Sequence, residues 1–88
     1  MEFFDLIRNG QLDEIKTMLE ADPGLLQARD PKGFTPLIMA SYSDQYEVTQ
    51  YLLEQGADVN GRDAAGNRAL MGVCFEGSQE IASLLLAY

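Results

Sequence analysis

The sequence repeats itself with a period of 33 residues, and this feature restricts the possible folds more than any other. A shift of 33 residues places identical residues on one another at seven positions between Arg29 and Leu53. The matching pairs are Arg29 and Arg62, Asp30 and Asp63, Gly33 and Gly66, Leu37 and Leu70, Glu47 and Glu80, and Leu52-Leu53 with Leu85-Leu86. Repeats of this length are typical of stacked solenoids, because one helix pair cannot bury its apolar face without a neighbour.

The unit from Asp30 to Arg62 shows its elements most clearly. It opens with a turn at Asp30–Gly33, and Thr35-Pro36 then predicts the start of a helix. A threonine oxygen can cap a helix, and a proline at the first helical position loses no N–H that the helix needs. The apolar run Leu37–Ala40 is therefore predicted to form a first helix.

A second helix follows in the same unit. Asp44 and Glu47 have the spacing of a capping box, ahead of an apolar run that begins at Val48. Gly56 is predicted to end this helix, since glycine readily adopts the left-handed conformation found there.

The N-terminal part of the chain predicts a similar helix pair. An apolar helix is expected over Glu2–Asn9 and a second over Leu12–Ala21, with apolar residues at helical spacing. Asp22-Pro23-Gly24 ends the second helix because proline cannot continue it. An extended loop is predicted over Leu25–Phe34.

The central unit carries the resemblance to a known family. The residues are Asp30-x-x-Gly33-x-Thr35-Pro36-Leu37-x-x-Ala40, then Glu47-Val48-x-x-Tyr51-Leu52-Leu53, then Gly56-Ala57-Asp58-Val59-Asn60. With these residues the chain resembles an ankyrin-repeat protein. The resemblance implies an all-α solenoid of about three stacked helix-turn-helix repeats with projecting β-turn fingers. Residues 1–88 are then expected to form one domain with units at about 1–29, 30–62 and 63–88, the last ending before its finger loop.

Two features depart from the pattern of the family. Ile38 and Met71 stand where the family usually has the histidine that joins neighbouring turns, so we expect apolar packing to hold the fingers. Arg68-Ala69 replaces Thr-Pro in the third unit, which removes a helix cap unless Asn67 substitutes for it.

Composition excludes several classes of function. The chain of 88 residues has a net charge of −8 and no histidine, which argues against binding to nucleic acid and to anionic membranes. Its single cysteine cannot form an intramolecular disulfide. The N-terminus does not resemble a signal peptide, and no apolar stretch is long enough to span a membrane. A soluble, cytoplasmic protein is therefore expected.

The sequence predicts no catalytic, cofactor or metal site, and we expect the chain not to be an enzyme. Neither Cys74 nor any serine has a histidine to act as its base, and Cys74 lies in an apolar stretch typical of an inert core thiol. The Asp58-x-Asn60 pair matches two calcium-ligand positions, but no EF-hand loop follows it.

Protein binding remains, and the resemblance implies where it occurs. In similar proteins the finger tips and the exposed side of the first helices hold the partner. The corresponding residues here are Arg8, Lys32, Phe34, Tyr42, Ser43, Asn67, Phe75 and Glu76, beside Asn9, Pro31, Ala64 and Ala65. The aromatic side chains of this set are the kind that anchor a partner. The alternative is that they cover the groove or pack between the fingers.

Charge is distributed unevenly along the chain. Four of the six basic residues lie in the finger loops, whereas many acids lie on or beside the second helices. The four bases are Arg29, Lys32, Arg62 and Arg68. They favour basic finger tips that attract a partner, or alternatively ion pairs between fingers through Asp30 and Asp63, which contribute little at a surface.

These observations favour a non-enzymatic protein-protein interaction module whose partner the sequence does not identify. Two alternatives stay open: a regulatory or accessory part of an enzyme, and a structural spacer within a longer array. The apolar last helix, with Ile81 and Leu84–Leu86, further predicts self-association or packing against another repeat.

Overall fold

The computed structural model describes residues 2–70 and 79–88 of the chain. The described residues contain the helices α1 (Phe3–Asn9), α2 (Leu12–Ala21), a 3-10 helix (Pro23–Gln27), α3 (Pro36–Tyr42), α4 (Tyr46–Glu54) and α5 (Gln79–Leu86). Ala69 and Leu70 are helical as well. Extended pairing within the described residues is limited to an isolated antiparallel bridge between Arg62 and Arg68. The predicted all-α architecture is confirmed.

The first two helices meet at a glycine turn. Gly10 has a φ of 72° and its N–H donates to the carbonyl oxygens of Leu6 and Ile7, which ends α1. Glycine reaches this left-handed conformation without the steric cost that a Cβ would impose. The turn at Asn9-Gly10 therefore lets α2 fold back against α1.

The predicted start of α3 is confirmed in detail. Pro36 is its first residue, and the Thr35 hydroxyl oxygen accepts a hydrogen bond of 3.2 Å from the Ile38 N–H. The start of α4 differs from the prediction, because Gln45 rather than Asp44 is its N-cap residue. Asp44 has a φ of 59° and lies in the turn just before it. Gly56, with a φ of 95°, follows the end of α4 as predicted.

The segment after α2 also differs from the prediction. Leu25–Gln27 were predicted to be extended but belong to the 3-10 helix, whose start is capped by the Asp22 carboxylate accepting from the Gly24 N–H. Leu25 and Leu26 are half-buried and pack against the core. A short 3-10 turn satisfies local backbone groups while both leucines reach that core.

The helices are stacked in a row. α1 packs against both α2 and α3, α3 packs against α4, and α4 packs against α5. One apolar cluster runs through all these layers, and it includes Ile7, Leu37, Leu52 and Ile81. Each layer thus covers the apolar side of its neighbour, which is the arrangement that the repeat predicted.

Candidate protein-binding surface

Residues 30–34, here called the first finger, form a closed turn. Gly33 N–H donates to the Asp30 carbonyl at 2.9 Å, and Asp30 N–H donates to the Phe34 carbonyl at 3.1 Å. The Asp30 carboxylate accepts from the N–H groups of Lys32 at 2.9 Å and Phe34 at 2.8 Å. The aspartate side chain therefore satisfies backbone donors that the tight turn leaves without partners.

Residues 63–67, here called the second finger, repeat this geometry. Gly66 N–H donates to the Asp63 carbonyl at 3.0 Å, and Asp63 N–H donates to the Asn67 carbonyl at 2.9 Å. The Asp63 carboxylate accepts from the N–H groups of Ala65 and Asn67, both at 2.9 Å. The 33-residue period thus holds at the level of single hydrogen bonds.

The two fingers are joined by a main-chain hydrogen bond and by the Arg29 side chain. Ala64 N–H donates to the Lys32 carbonyl at 3.3 Å. The Arg29 guanidinium donates to the Gly33 carbonyl at 2.9 Å and also to the Arg62 carbonyl. A Cβ atom on Gly33 would lie 2.6 Å from the Ala64 nitrogen, so the fingers approach too closely for a side chain there.

These contacts differ from both expectations for the fingers. Apolar packing was expected to hold them, and Ile38 is indeed buried, but hydrogen bonds to carbonyl oxygens connect the two loops. Arg29 was also considered as an ion-pair partner of an aspartate. Its guanidinium binds carbonyl oxygens instead, while the Asp30 carboxylate is held by N–H groups of its own turn.

Phe34 and Tyr42 lie together at the base of the fingers. Their rings meet edge to face, with centroids 5.5 Å apart and an interplanar angle of 73°. Both are half-buried and pack against the core. Burial raises the pKa of the Tyr42 hydroxyl, and the negative charge of Asp63 raises it further. The pair therefore packs between α3 and the fingers while keeping part of its surface in solvent.

The other predicted partner-binding residues are placed as follows. Arg8 is exposed at the end of α1, where its guanidinium lies 3.4 Å from the Asp5 carboxylate. Lys32 is exposed at the tip of the first finger, while Ser43 and Asn67 are half-buried. Phe75 and Glu76 lie outside the described residues.

Two grooves, of about 400 Å³ and 440 Å³, are both lined in part by Arg29, just before the first finger. One is lined by Arg8, Asp30 and Pro31 together with apolar residues of the first helix pair. The other is lined by Arg29, Thr35, Asp58 and Gly61. The predicted residues Arg8 and Pro31 are thus brought together in one groove.

The sequence placed Arg62 and Arg68 among the bases of the finger loops but did not predict that they are paired. They face each other across the isolated antiparallel bridge at the stem of the second finger, and both are exposed. Their symmetric positions in the sequence, one residue before Asp63 and one residue after Asn67, could have indicated this pairing. We call the surface formed by the fingers and the end of α3 the finger face; its residues are Lys32, Phe34, Tyr42, Ser43, Arg62, Asn67 and Arg68.

The second helices form a separate surface. Lys16, Glu47, Gln50, Tyr51 and Glu54 line a shallow groove between α2 and α4, which we call the second-helix face. The Lys16 ammonium lies 5.3 Å from the centroid of the Tyr51 ring, within cation–π distance. Tyr51 on this face matches Tyr42 in residue type, and Lys16 carries the same charge as the bases of the fingers. Both are therefore used for control substitutions.

The last helix has one buried and one exposed side. Ile81 and Leu85 are buried, whereas Leu86 is 71% exposed, and Tyr88, which follows the helix, is 57% exposed. That this exposed side meets another repeat or a second copy of the chain stays a prediction.

In residues 2–70 and 79–88, no group of three or more acidic, cysteine or histidine side chains is arranged to hold a metal ion. None of the helices in that part of the chain is long and apolar enough to cross a membrane.

Comparison with known proteins decides the family. The family model described as ankyrin repeats (3 copies) matches residues 3–88. The chain belongs to the ankyrin-repeat family. The period, the finger turns and the stacked helix pairs described above are those of its repeats, and ankyrin repeats are protein-protein interaction modules.

Several curated ankyrin-repeat proteins are similar to this chain. The probable E3 ubiquitin-protein ligase XBOS33 of Oryza sativa is 35% identical over 92% of the chain, which spans 16% of that protein. The protein fem-1 homolog A-like of Mus musculus is 44% identical over 70% of the chain and 10% of its own length. Human protein phosphatase 1 regulatory subunit 27 is 32% identical over 97% of the chain and 55% of its own length. The chain therefore spans about a tenth to just over half of these ankyrin-repeat relatives.

Proposed function

We propose that this chain is a non-enzymatic protein-protein interaction module whose partner binds the finger face. The observation that carries the proposal is the Phe34–Tyr42 pair, an edge-to-face aromatic contact that is only half-buried at the base of the fingers. Aromatic side chains held rigidly by neighbours anchor partners well, because they lose little conformational entropy on binding. The hydrogen bonds between the fingers support this, since they fix the surface before a partner arrives.

The test is affinity capture from a native lysate with three forms of the chain. The forms are the unchanged protein, the double variant Phe34→Ala/Tyr42→Ala, and the control Tyr51→Ala on the second-helix face. Circular dichroism and urea denaturation identify the concentration range in which all three are folded. We expect the same protein to be captured by the unchanged chain and by the control, and to be lost with the double variant. Equal capture by all three forms would place the binding surface elsewhere.

A second candidate is a regulatory part of an enzyme. It is favoured by the similarity to protein phosphatase 1 regulatory subunit 27, of which the chain matches 55%. Addition of the purified chain to the catalytic subunit of protein phosphatase 1 tests it directly. A change in kcat or KM that titrates with the chain supports this role, and unchanged kinetics with no complex by size-exclusion chromatography excludes it for that enzyme.

We further propose that the chain acts in the cytoplasm, as one domain with units at about residues 1–29, 30–62 and 63–88. The single cysteine supports the proposed location, and the continuous apolar cluster supports the single domain. Microscopy of a fluorescent fusion tests the location, and a single cooperative urea transition followed by two probes tests the domain.

A further inference from the structure

We propose that Arg62 and Arg68 together bind carboxylate groups, and that the protein partner presents an acidic segment to them. The inference rests on the proposed function and deepens it by naming the chemistry of the partner. It starts from the antiparallel bridge that holds the two arginines directly opposite each other at the stem of the second finger.

The bridge fixes where the two side chains emerge. Residues that face each other in an antiparallel pair have Cβ atoms roughly 4.5–5.5 Å apart and extend to the same side. Arg62 and Arg68 are both exposed, so two guanidinium groups leave one small area of the surface. Like charges in this arrangement destabilise a folded protein. A local arrangement that costs stability without a structural benefit is a frequent mark of a functional site.

The nearest acidic residues of the fingers already have other roles. The Asp63 carboxylate lies between the two arginines in sequence and accepts hydrogen bonds from the Ala65 and Asn67 N–H groups. Asp30 does the same for Lys32 and Phe34 in the first finger. Among the residues that the structure describes, no carboxylate lies within 4.0 Å of the guanidinium nitrogens of Arg62 or Arg68. Within the described part of the chain, their charge is therefore not neutralised by an ion pair.

Two further bases strengthen the positive charge of this region. The Arg29 guanidinium binds the carbonyl oxygen of Arg62 and so fixes the stem of the second finger against the first. Lys32 is exposed at the neighbouring finger tip, and its carbonyl accepts the Ala64 N–H of the second finger. Four of the six bases in the chain are thus gathered around the two fingers.

The charge of the whole chain makes this region selective. With 14 acidic residues against 6 basic ones, most of the surface repels an acidic segment. Such a segment is attracted to the fingers alone, so the electrostatic field orients the partner as well as holding it. Guanidinium groups suit carboxylates because their planar N–H donors can form two parallel hydrogen bonds to the two oxygens. A partner segment with Asp or Glu side chains matches this chemistry.

The test measures binding of fluorescent peptides by anisotropy. The probe is a peptide of alternating Glu and Ser, and its control carries Gln in place of every Glu. The unchanged chain is compared with Arg68→Gln, with Arg62→Gln/Arg68→Gln, and with Lys16→Gln on the second-helix face. Lys16→Gln removes the same charge as Arg68→Gln at a site away from the fingers.

We expect the Glu peptide to bind and the Gln peptide to bind at least about tenfold more weakly, because charge-assisted hydrogen bonds are lost. Arg68→Gln should weaken binding of the Glu peptide about three- to tenfold, and the double variant more, whereas Lys16→Gln should change it less than twofold. Added salt should weaken the interaction. Equal binding of the two peptides, or equal effects of Arg68→Gln and Lys16→Gln, would overturn the inference.

Two further arms separate the alternatives. Inorganic phosphate that displaces the Glu peptide at concentrations where chloride of equal ionic strength does not would point to a phosphorylated segment and overturn the choice of carboxylate. A partner captured through Phe34 and Tyr42 but retained by Arg62→Gln/Arg68→Gln would overturn this inference while leaving the proposed function in place. Loss of that partner with the arginine variant supports both.

Discussion

The side-chain amide of Gln45 donates a hydrogen bond of 2.8 Å to the carbonyl oxygen of Arg8. The bond spans 37 residues and joins the loop before α4 to the C-terminal end of α1. The last carbonyl groups of a helix have no partner within it, so this contact satisfies one of them from the neighbouring unit. Consecutive units are therefore connected at this end of the helices as well as at the fingers.

Removal of this amide tests the contact. Gln45→Ala should lower the free energy of unfolding by about 0.5–1 kcal/mol, since a partly exposed hydrogen bond of this type contributes modestly. Urea denaturation measures the change. The control is Gln50→Ala on the exposed side of α4, for which a change within about 0.5 kcal/mol is expected. Similar losses for both variants would show that the bond to Arg8 contributes nothing.

The two finger glycines provide a matched pair for the close approach of the fingers. Gly33 has a φ of 81° and Gly66 a φ of 85°, so alanine is strained at both. At Gly33 a Cβ would meet the other finger, 2.6 Å from the Ala64 nitrogen, whereas at Gly66 no atom of residues 2–70 or 79–88 lies within 4 Å of such a Cβ. Gly66→Ala should cost about 1 kcal/mol, and Gly33→Ala at least about 1 kcal/mol more.

Chemical denaturation of the two glycine variants gives this difference directly, because the backbone strain is common to both. Equal destabilisation would contradict the close packing of the fingers. In that case the hydrogen bond from Ala64 to the Lys32 carbonyl would have to be weaker than its geometry indicates.

Replacement of Arg68, in the third unit, is expected to increase the stability of the fold. Arg68 stands where the preceding unit has the capping residue Thr35, and it faces Arg62 across the bridge. Arg68→Gln should stabilise the fold by roughly 0.2–1 kcal/mol through loss of like-charge repulsion. Arg68→Thr should add about 1 kcal/mol more if the hydroxyl caps the helix that begins at Ala69. Urea denaturation of both variants separates repulsion from capping, and destabilisation by Arg68→Gln would refute the repulsion.

The raised pKa of Tyr42 makes stability depend on pH in the alkaline range. The folded state keeps this proton at pH values where the unfolded chain, with the ordinary pKa of 10.0, has released it. The stability that this group contributes is therefore complete below pH 10.0 and is lost as the pH rises through the higher pKa of the folded state. Urea denaturation over this range should show a steeper loss for the unchanged chain than for Tyr42→Phe.

A second variant tests the cause of that shift. Asp63→Asn removes the charge but keeps an oxygen that can accept the N–H bonds of the finger, so the pKa of Tyr42 should fall toward its ordinary value. Asp58→Asn serves as the control, because Asp58 caps its own turn through the Asn60 N–H. Identical titration of the Tyr42 phenol in both variants would leave burial as its only cause.

Two adjacent leucines test how α5 packs. Leu85 is 2% exposed and Leu86 is 71% exposed, although they are neighbours in sequence. Leu85→Ala should cost about 2 kcal/mol or more, since it removes buried methyl groups that contact the core. Leu86→Ala should change the stability by less than about 0.5 kcal/mol. A larger effect at Leu86, measured by urea denaturation, would mean that α5 is rotated about its axis.

Much of the fold could be predicted from the repeat alone. The bounds of α2, the Thr35 cap, the left-handed glycines and the stacking order all follow from residue types whose local preferences are strong. The 3-10 helix at Pro23–Gln27 could not be predicted, because it forms where Leu25 and Leu26 reach a core built by other units. The N-cap of α4 is Gln45 and not the predicted Asp44 for a similar reason, since Gln45 also bonds to the distant Arg8 carbonyl.

The candidate site was predicted less completely. The resemblance placed Phe34 and Tyr42 on one surface, but their contact with each other depends on the angle between α3 and the finger. The partners of Arg29 could not be inferred, because carboxylates and carbonyl oxygens are equally plausible acceptors in a sequence. Only the folded backbone brings the Gly33 and Arg62 carbonyls to one guanidinium.

The construction of each finger has a consequence for how this surface can change in evolution. One aspartate and one glycine close each loop. The loops are joined by the Arg29 guanidinium and by backbone atoms that every residue except proline can supply. Tip residues such as Lys32, Ala64 and Ala65 can therefore be exchanged while the distance between the loops stays the same. New specificities can arise by a few surface substitutions, with the frame that presents them left intact.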